Sequence, residues 1–120
     1  MWFKFTALSA VLFLPGLWQQ TPSSEKAVTV TLTEWKIDMP RTLQAGAYNL
    51  KITNSGKHAH TLKIKSAAVE VKLARNLNPG ESAEFKIDLK PGVYEVYCPI
   101  GFSPLDHSHR GMELQLTVQQ

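Results

Sequence analysis

The chain reads as an all-β protein, an antiparallel sandwich of about seven or eight short strands. Three observations predict it. From Ala27 onward apolar residues recur at every second position, the period of strands with one face in a core and one in water. Turn-forming clusters punctuate that pattern at Ala45-Gly46, Asn54-Ser55-Gly56, Asn78-Pro79-Gly80 and Pro91-Gly92. No segment sustains a helical period, and only residues 66–76 leave room for a short helical turn.

The first 24 residues stand apart from this pattern. Met1-Trp2-Phe3-Lys4 carries one positive charge, Phe5 to Trp18 is apolar except at Thr6, Ser9 and Pro15-Gly16, and Gln19 to Ser24 is polar. A charged start, a short apolar core and a polar exit are the plan of a secretory signal. The apolar run is shorter than the ~20 residues a spanning helix needs. No clean small-x-small pattern marks a cleavage point, so a retained N-terminal anchor is the alternative. Residues 1–24 are expected to be a signal peptide or anchor with a polar spacer, and residues 25–120 the one folded domain. The protein is then exported, to a periplasmic or extracellular space.

The strands follow in order. Val28, Val30 and Leu32 alternate with threonines, and Tyr48, Leu50 and Ile52 alternate with Asn49 and Lys51. His60, Leu62 and Ile64 share a third face, and Val69, Val71 and Leu73 a fourth. Phe85, Ile87 and Leu89 alternate with charged residues, the run Val93–Cys98 comes next, and Leu114, Leu116 and Val118 close the chain. A core drawn from about 95 residues is viable but modest. The formal charge of +3, lowered by one if Lys4 is removed, is too small and too evenly spread for a nucleic-acid partner.

The chemistry concentrates at the end of the chain, in Cys98-Pro99-Ile100-Gly101-Phe102-Ser103-Pro104-Leu105-Asp106-His107-Ser108-His109-Arg110-Gly111-Met112. The single cysteine cannot form an internal disulfide, and in an exported protein a lone thiol is paired with another chain, reactive, or a metal ligand. Cys98 ends a strand run, which places it at the rim of a sandwich. A loop of histidines follows and ends at Met112, with Gly111 permitting a bend just before it. Upstream, Asn54-Ser55-Gly56-Lys57-His58-Ala59-His60 supplies a second pair of histidines, and alternation turns His60 inward with Leu62 and Ile64. Two imidazoles, a thiolate and a thioether make the ligand set of a trigonal copper site with a weak axial sulfur. Asp106 is placed to orient a neighbouring imidazole. A Ser108/His109/Asp106 triad is discarded, because adjacent residues on one loop do not make that geometry.

On these residues the chain resembles the cupredoxins, the blue copper family that includes plastocyanin and auracyanin. The resemblance rests on Asn54-Ser55-Gly56 with His60, the two Pro-Gly turns, the pair Tyr97-Cys98, and His107-x4-Met112, and spans nearly all of residues 27–120. It implies a Greek-key sandwich with one type 1 copper near the surface at one end. Its spacing selects His60 over His58 and His107 over His109, so the implied ligands are His60, Cys98, His107 and Met112. Three departures stand out. Eight residues separate Cys98 from His107, more than in many family members. Pro99 has no N–H to offer the sulfur, which leaves the backbone N–H of Thr61 as the donor implied by the family. Each implied histidine also has a twin two positions away.

The resemblance implies a carrier of single electrons between redox proteins, not an enzyme. Partners are expected to dock near His107 on the apolar loop Phe102–Leu105, with Tyr97 a second route on the flank. The protein is expected to be a monomer and to touch a membrane only if the N-terminal segment is retained. The alternative is a copper chaperone or storage protein that uses both His-x-His pairs to deliver copper to an oxidase.

Overall fold

A computed structural model describes residues 25–120; the expected signal or anchor, residues 1–24, lies outside the described residues. Among the described residues nine strands form two packed sheets. They are β1 (Lys26–Thr33), β2 (Lys36–Asp38), β3 (Thr42–Gln44), β4 (Gly46–Asn54), β5 (Lys63–Lys65), β6 (Glu70–Lys72), β7 (Ser82–Leu89), β8 (Gly92–Tyr97) and β9 (Glu113–Gln119). One sheet has the order β2-β1-β4-β7 and the other β3-β9-β8-β5-β6. The expected all-β Greek-key sandwich is what the chain forms. Its one helical element among the described residues is a single 3-10 turn, Ser108–Arg110.

The alternating residues fill the space between the sheets. Val28, Val30 and Leu32 of β1 and Tyr48, Leu50 and Ile52 of β4 meet Tyr94 and Val96 of β8 and Leu114, Leu116 and Val118 of β9, all buried. Burying one such side chain is worth about 1.5–3 kcal/mol, so the two inner faces drive the sheets together.

Three expectations are corrected. The sheets are mixed, not purely antiparallel: β1 runs parallel to β4, with Val28 beside Leu50, and β3 runs parallel to β9, with Leu43 beside Val118. Between β1 and β4 the chain leaves the first sheet, adds β3 to the second, and returns. Alternation fixes which face of a strand is buried and says nothing about its direction. Secondly, residues 66–76 hold no helical turn; they carry β6, an edge strand antiparallel to β5, with Val69 39% exposed. Thirdly, His60 does not open a strand. It makes an isolated bridge with Leu77, His60 N donating to Leu77 O at 3.0 Å and Leu77 N to His60 O at 2.7 Å, and β5 begins three residues later.

Strand register gathers the chain's reactive residues at one end. In the β8–β9 ladder Tyr97 pairs with Glu113, so Cys98 and Met112 face each other one step beyond it, and Cys98 N donates to Met112 O at 3.1 Å. Lys63 pairs with Tyr97 in the β5–β8 ladder, which brings Thr61 and His60 to the same edge. Leu32 pairs with Asn54 where β1 and β4 end. The two-residue connection Glu34-Trp35, between the paired Thr33 and Lys36, therefore closes over that end.

Candidate metal centre

Cys98 is fully buried. Its Sγ accepts a hydrogen bond from the Thr61 N–H at 3.5 Å, the donor expected once Pro99 is excluded. Burial pushes the Cys98 thiol up from its ordinary value, against the pull of the Thr61 N–H. A thiol so placed is inert by itself and becomes a thiolate where a cation compensates the charge.

His60 is also fully buried, and its Nδ1 lies 3.2 Å from Nδ1 of His107. The His107 Nδ1 is 3.6 Å from Cys98 Sγ. One ligating atom from each of His60, Cys98 and His107 falls within 4.8 Å of the other two. Burial first, then the neighbouring His60, Arg110 and His58, hold His107 below the usual imidazole range, which favours the neutral ring, the form that offers a lone pair.

The turn before His60 is stitched by Asn54, itself buried. Its Nδ2 donates to His58 O and Leu77 O, both at 2.8 Å, and its Oδ1 accepts from Gly56 N at 2.8 Å. These bonds fix where His60 enters the cluster.

The long loop after Cys98 returns His107 to the cluster by folding on itself. His107 N donates to Ile100 O at 2.8 Å and Leu105 N to Phe102 O at 2.6 Å. The additional residues become an outward excursion with Phe102 87% and Leu105 67% exposed. Closing a longer loop adds little entropy cost, so the excursion leaves the cluster intact. Met112 N donates to His107 O at 3.1 Å, and its side chain is fully buried. Met112 thus precedes β9 by one residue.

The twin histidines separate. His58 is 63% exposed and its Nδ1 lies 3.3 Å from Glu34 Oε1. His109 is 54% exposed, with Nδ1 2.6 Å from Asp106 Oδ1. Neither is in the cluster. Asp106 does not orient His107: its carboxylate takes the Ser108 hydroxyl and faces His109. The Ser108 bond is the main reason its carboxyl sits below the usual range.

Sequence reasoning missed two residues, Glu34 and Trp35. Glu34 Oε1 accepts from Lys57 N at 2.7 Å and His58 N at 2.8 Å, and lies 3.0 Å from His60 Nε2. Burial pushes the Glu34 carboxyl up, but the bonds from His58, Lys57 and His60 outweigh it and bring it down to about 2. A β-carbon on Gly56 would collide with that carboxylate, so the glycine leaves Glu34 the room to hold this position. Trp35 packs edge-on to His107 with ring centroids 4.8 Å apart, stacks on His58 at 5.7 Å, and carries the Arg110 guanidinium 4.7 Å above its ring. The available signal was an aromatic residue in a two-residue connection that has no glycine or asparagine.

Two imidazole nitrogens and a buried sulfur suit one soft or borderline metal ion, and a thiolate with two imidazoles is a copper donor set. The residues present therefore fit copper. A groove lined by Arg41, Lys65, Tyr94, Glu95 and Glu113 includes none of the three donors, so the cluster is set apart from it.

A two-sheet β-sandwich carrying a His/Cys/His cluster at one end defines the class. The sequence model of the Cupredoxin-like domain matches residues 5–107, and the chain belongs to that family. A comparison with curated proteins gives no significant match. Among solved structures the chain is similar to the Cu-containing nitrite reductase of Thermus scotoductus, with 18% identity over 80% of this chain and a TM-score of 0.60. It spans only 28% of that reductase. It is similar to dithionite-reduced auracyanin of Roseiflexus castenholzii, with 16% identity over 82% of this chain and all of that one, TM-score 0.59. Auracyanin B gives 19% identity over 85% of this chain and 93% of that one, TM-score 0.63. At these identities the likeness is one of fold, and it reaches a copper enzyme as well as the auracyanins. Fold and cluster together support a copper-binding, redox-related role.

Proposed function

We propose that this protein is an exported type 1 blue copper protein that shuttles single electrons between redox partners and is not an enzyme. The observation that carries the reading is the convergence of His60 Nδ1, His107 Nδ1 and Cys98 Sγ at a buried sandwich end. Copper, when bound, supplies a one-electron Cu(II)/Cu(I) couple. His60 and His107 offer Nδ1 lone pairs, Cys98 offers the sulfur, and the Thr61 N–H stabilises the thiolate. Met112 would be the fourth ligand: it is buried, and its backbone is tied to both Cys98 and His107. A thioether would donate to Cu(II) more weakly than a hard oxygen ligand, so the potential would sit higher than with such a ligand and lower than with no fourth donor. Ladders and buried side chains hold the donors, so little rearranges as the charge changes.

Redox partners dock where the apolar loop reaches solvent, at Phe102 and Leu105, beside the half-buried His107; exposed apolar patches of this kind mark interaction surfaces. The protein acts as a monomer, and meets a membrane only if residues 1–24 are kept. The copper chaperone or storage alternative relied on both His-x-His pairs acting together. Only one histidine of each pair enters the cluster, its twin turned to an acid, His58 to Glu34 and His109 to Asp106, which favours the electron carrier. The test is voltammetry of the copper-loaded protein paired with copper transfer to a chelator. Reversible one-electron waves with slow copper loss are expected. Rapid surrender of copper with sluggish electron exchange would instead identify a copper carrier.

A further inference from the structure

The acid at the tip of the β1–β2 hairpin has a role in the centre that its sequence position does not announce. Glu34 is 26 residues from His60 in sequence, yet its Oε1 lies 3.0 Å from His60 Nε2. The carboxylate cannot drift, because the same oxygen takes two backbone N–H groups and Gly56 leaves it room. It is only 22% exposed, and His60 is fully buried, so this contact is shielded from water.

A neutral imidazole carries one proton, and the partner of one nitrogen determines which nitrogen is left bare. A carboxylate only accepts hydrogen bonds. Facing Glu34, the neutral His60 ring carries its one proton on Nε2. That leaves Nδ1 as a lone pair, and Nδ1 is the atom that lies 3.2 Å from His107 Nδ1 within the cluster. An outer carboxylate on a ligating histidine also raises ligand basicity, and its negative charge favours the more highly charged metal state.

We infer that Glu34 is a positioning residue that locks His60 in its metal-ready tautomer and biases the centre toward the oxidised ion. The second half rests on the copper reading above; the first half does not.

The test has one arm without metal and one with it. In the first, nitrogen-15 histidine spectra of the metal-free protein at pH 8 report which His60 nitrogen carries hydrogen. Wild type is expected to show Nε2–H, and Glu34→Gln, which keeps an acceptor for the two backbone N–H groups but loses the charge, to show a mixture. A wild-type Nδ1–H tautomer, or spectra identical in the variant, would overturn the positioning role. In the second arm, competition with chelators measures affinity for each oxidation state. Glu34→Gln is expected to lose about 10–100-fold in Cu(II) affinity, to lose less for Cu(I), and to show a raised potential. Glu34→Asp, which keeps the charge, is expected to fall between the two. Equal losses for both ions, or an unchanged potential in both variants, would overturn the bias. A wild-type protein that shows the Nε2–H tautomer and binds no copper would sink the copper reading while leaving the tautomer assignment standing.

Discussion

Gly111 and the carbonyl of Trp35 are in contact that no side chain survives: a β-carbon on Gly111 would lie 2.8 Å from Trp35 O. Gly111 also has φ +119°, between the 3-10 turn and Met112. This one residue lets the ligand loop pass beneath the Glu34-Trp35 connection.

Gly111→Ala is therefore expected to destabilise the fold by roughly 1–3 kcal/mol, from positive-φ strain, with the close approach adding to it. Because Met112 N bonds to His107 O, the variant is also expected to bind copper more weakly. Urea unfolding and a copper competition titration measure the two effects. Wild-type values in both would mean the loop relaxes freely.

The two histidine pairs give a sharper contrast. His107→Ala is expected to abolish or shift the visible thiolate-to-copper band, whereas His109→Ala leaves it nearly intact, since His109 faces Asp106 at the surface. His58→Ala is likewise expected to keep the band. Absorption spectra of the three variants, loaded in parallel, decide the matter. Reversal between positions 107 and 109 would move the ligand.

Much of this arrangement was legible in the sequence, for identifiable reasons. Val28-Val30-Leu32 and Leu114-Leu116-Val118 reveal their strands because one face is buried and the other wet. Cys98, His107 and Met112 stand on one loop, so their spacing was visible. The three-residue strands β2 and β3 are too short to show a period. The hairpin that starts β2 turns at Glu34-Trp35 without the glycine or asparagine that normally announces such a turn. The parallel pairing of β1 with β4 leaves no trace in alternation. Glu34 acts on a residue 26 positions away, and no local pattern encodes a contact that only the packed sandwich creates.

Met112 is buried without exposure, and Met112→Leu conserves its volume. The change is expected to cost less than about 1.5 kcal/mol and to keep the blue colour, since the imidazoles and sulfur are untouched. Losing the thioether donor would destabilise Cu(II) more than Cu(I), so the reduction potential is expected to rise. Voltammetry of the variant checks this. An unchanged potential would remove Met112 from the ligand set.

Away from the centre, Glu81 holds the Asn78-Pro79-Gly80 turn. The Asn78 N–H foremost, then Arg75, keep its carboxyl below the usual range. With the folded value under the unfolded one, its stabilisation is complete above about pH 4.3 and fades as pH falls toward the folded value. Glu81→Gln is expected to flatten the acid limb of the stability curve while leaving the centre's spectrum alone. Urea midpoints measured from pH 6 to pH 3 for both proteins test this, and parallel curves would contradict it.

The central claim, that the buried Cys98 sulfur binds copper between His60 and His107, is tested most directly by adding Cu(II) to the metal-free protein and to Cys98→Ser. The account predicts an intense visible band with narrow copper hyperfine splitting in the first and neither in the second. A colourless wild-type complex, or colour that persists in Cys98→Ser, would contradict it.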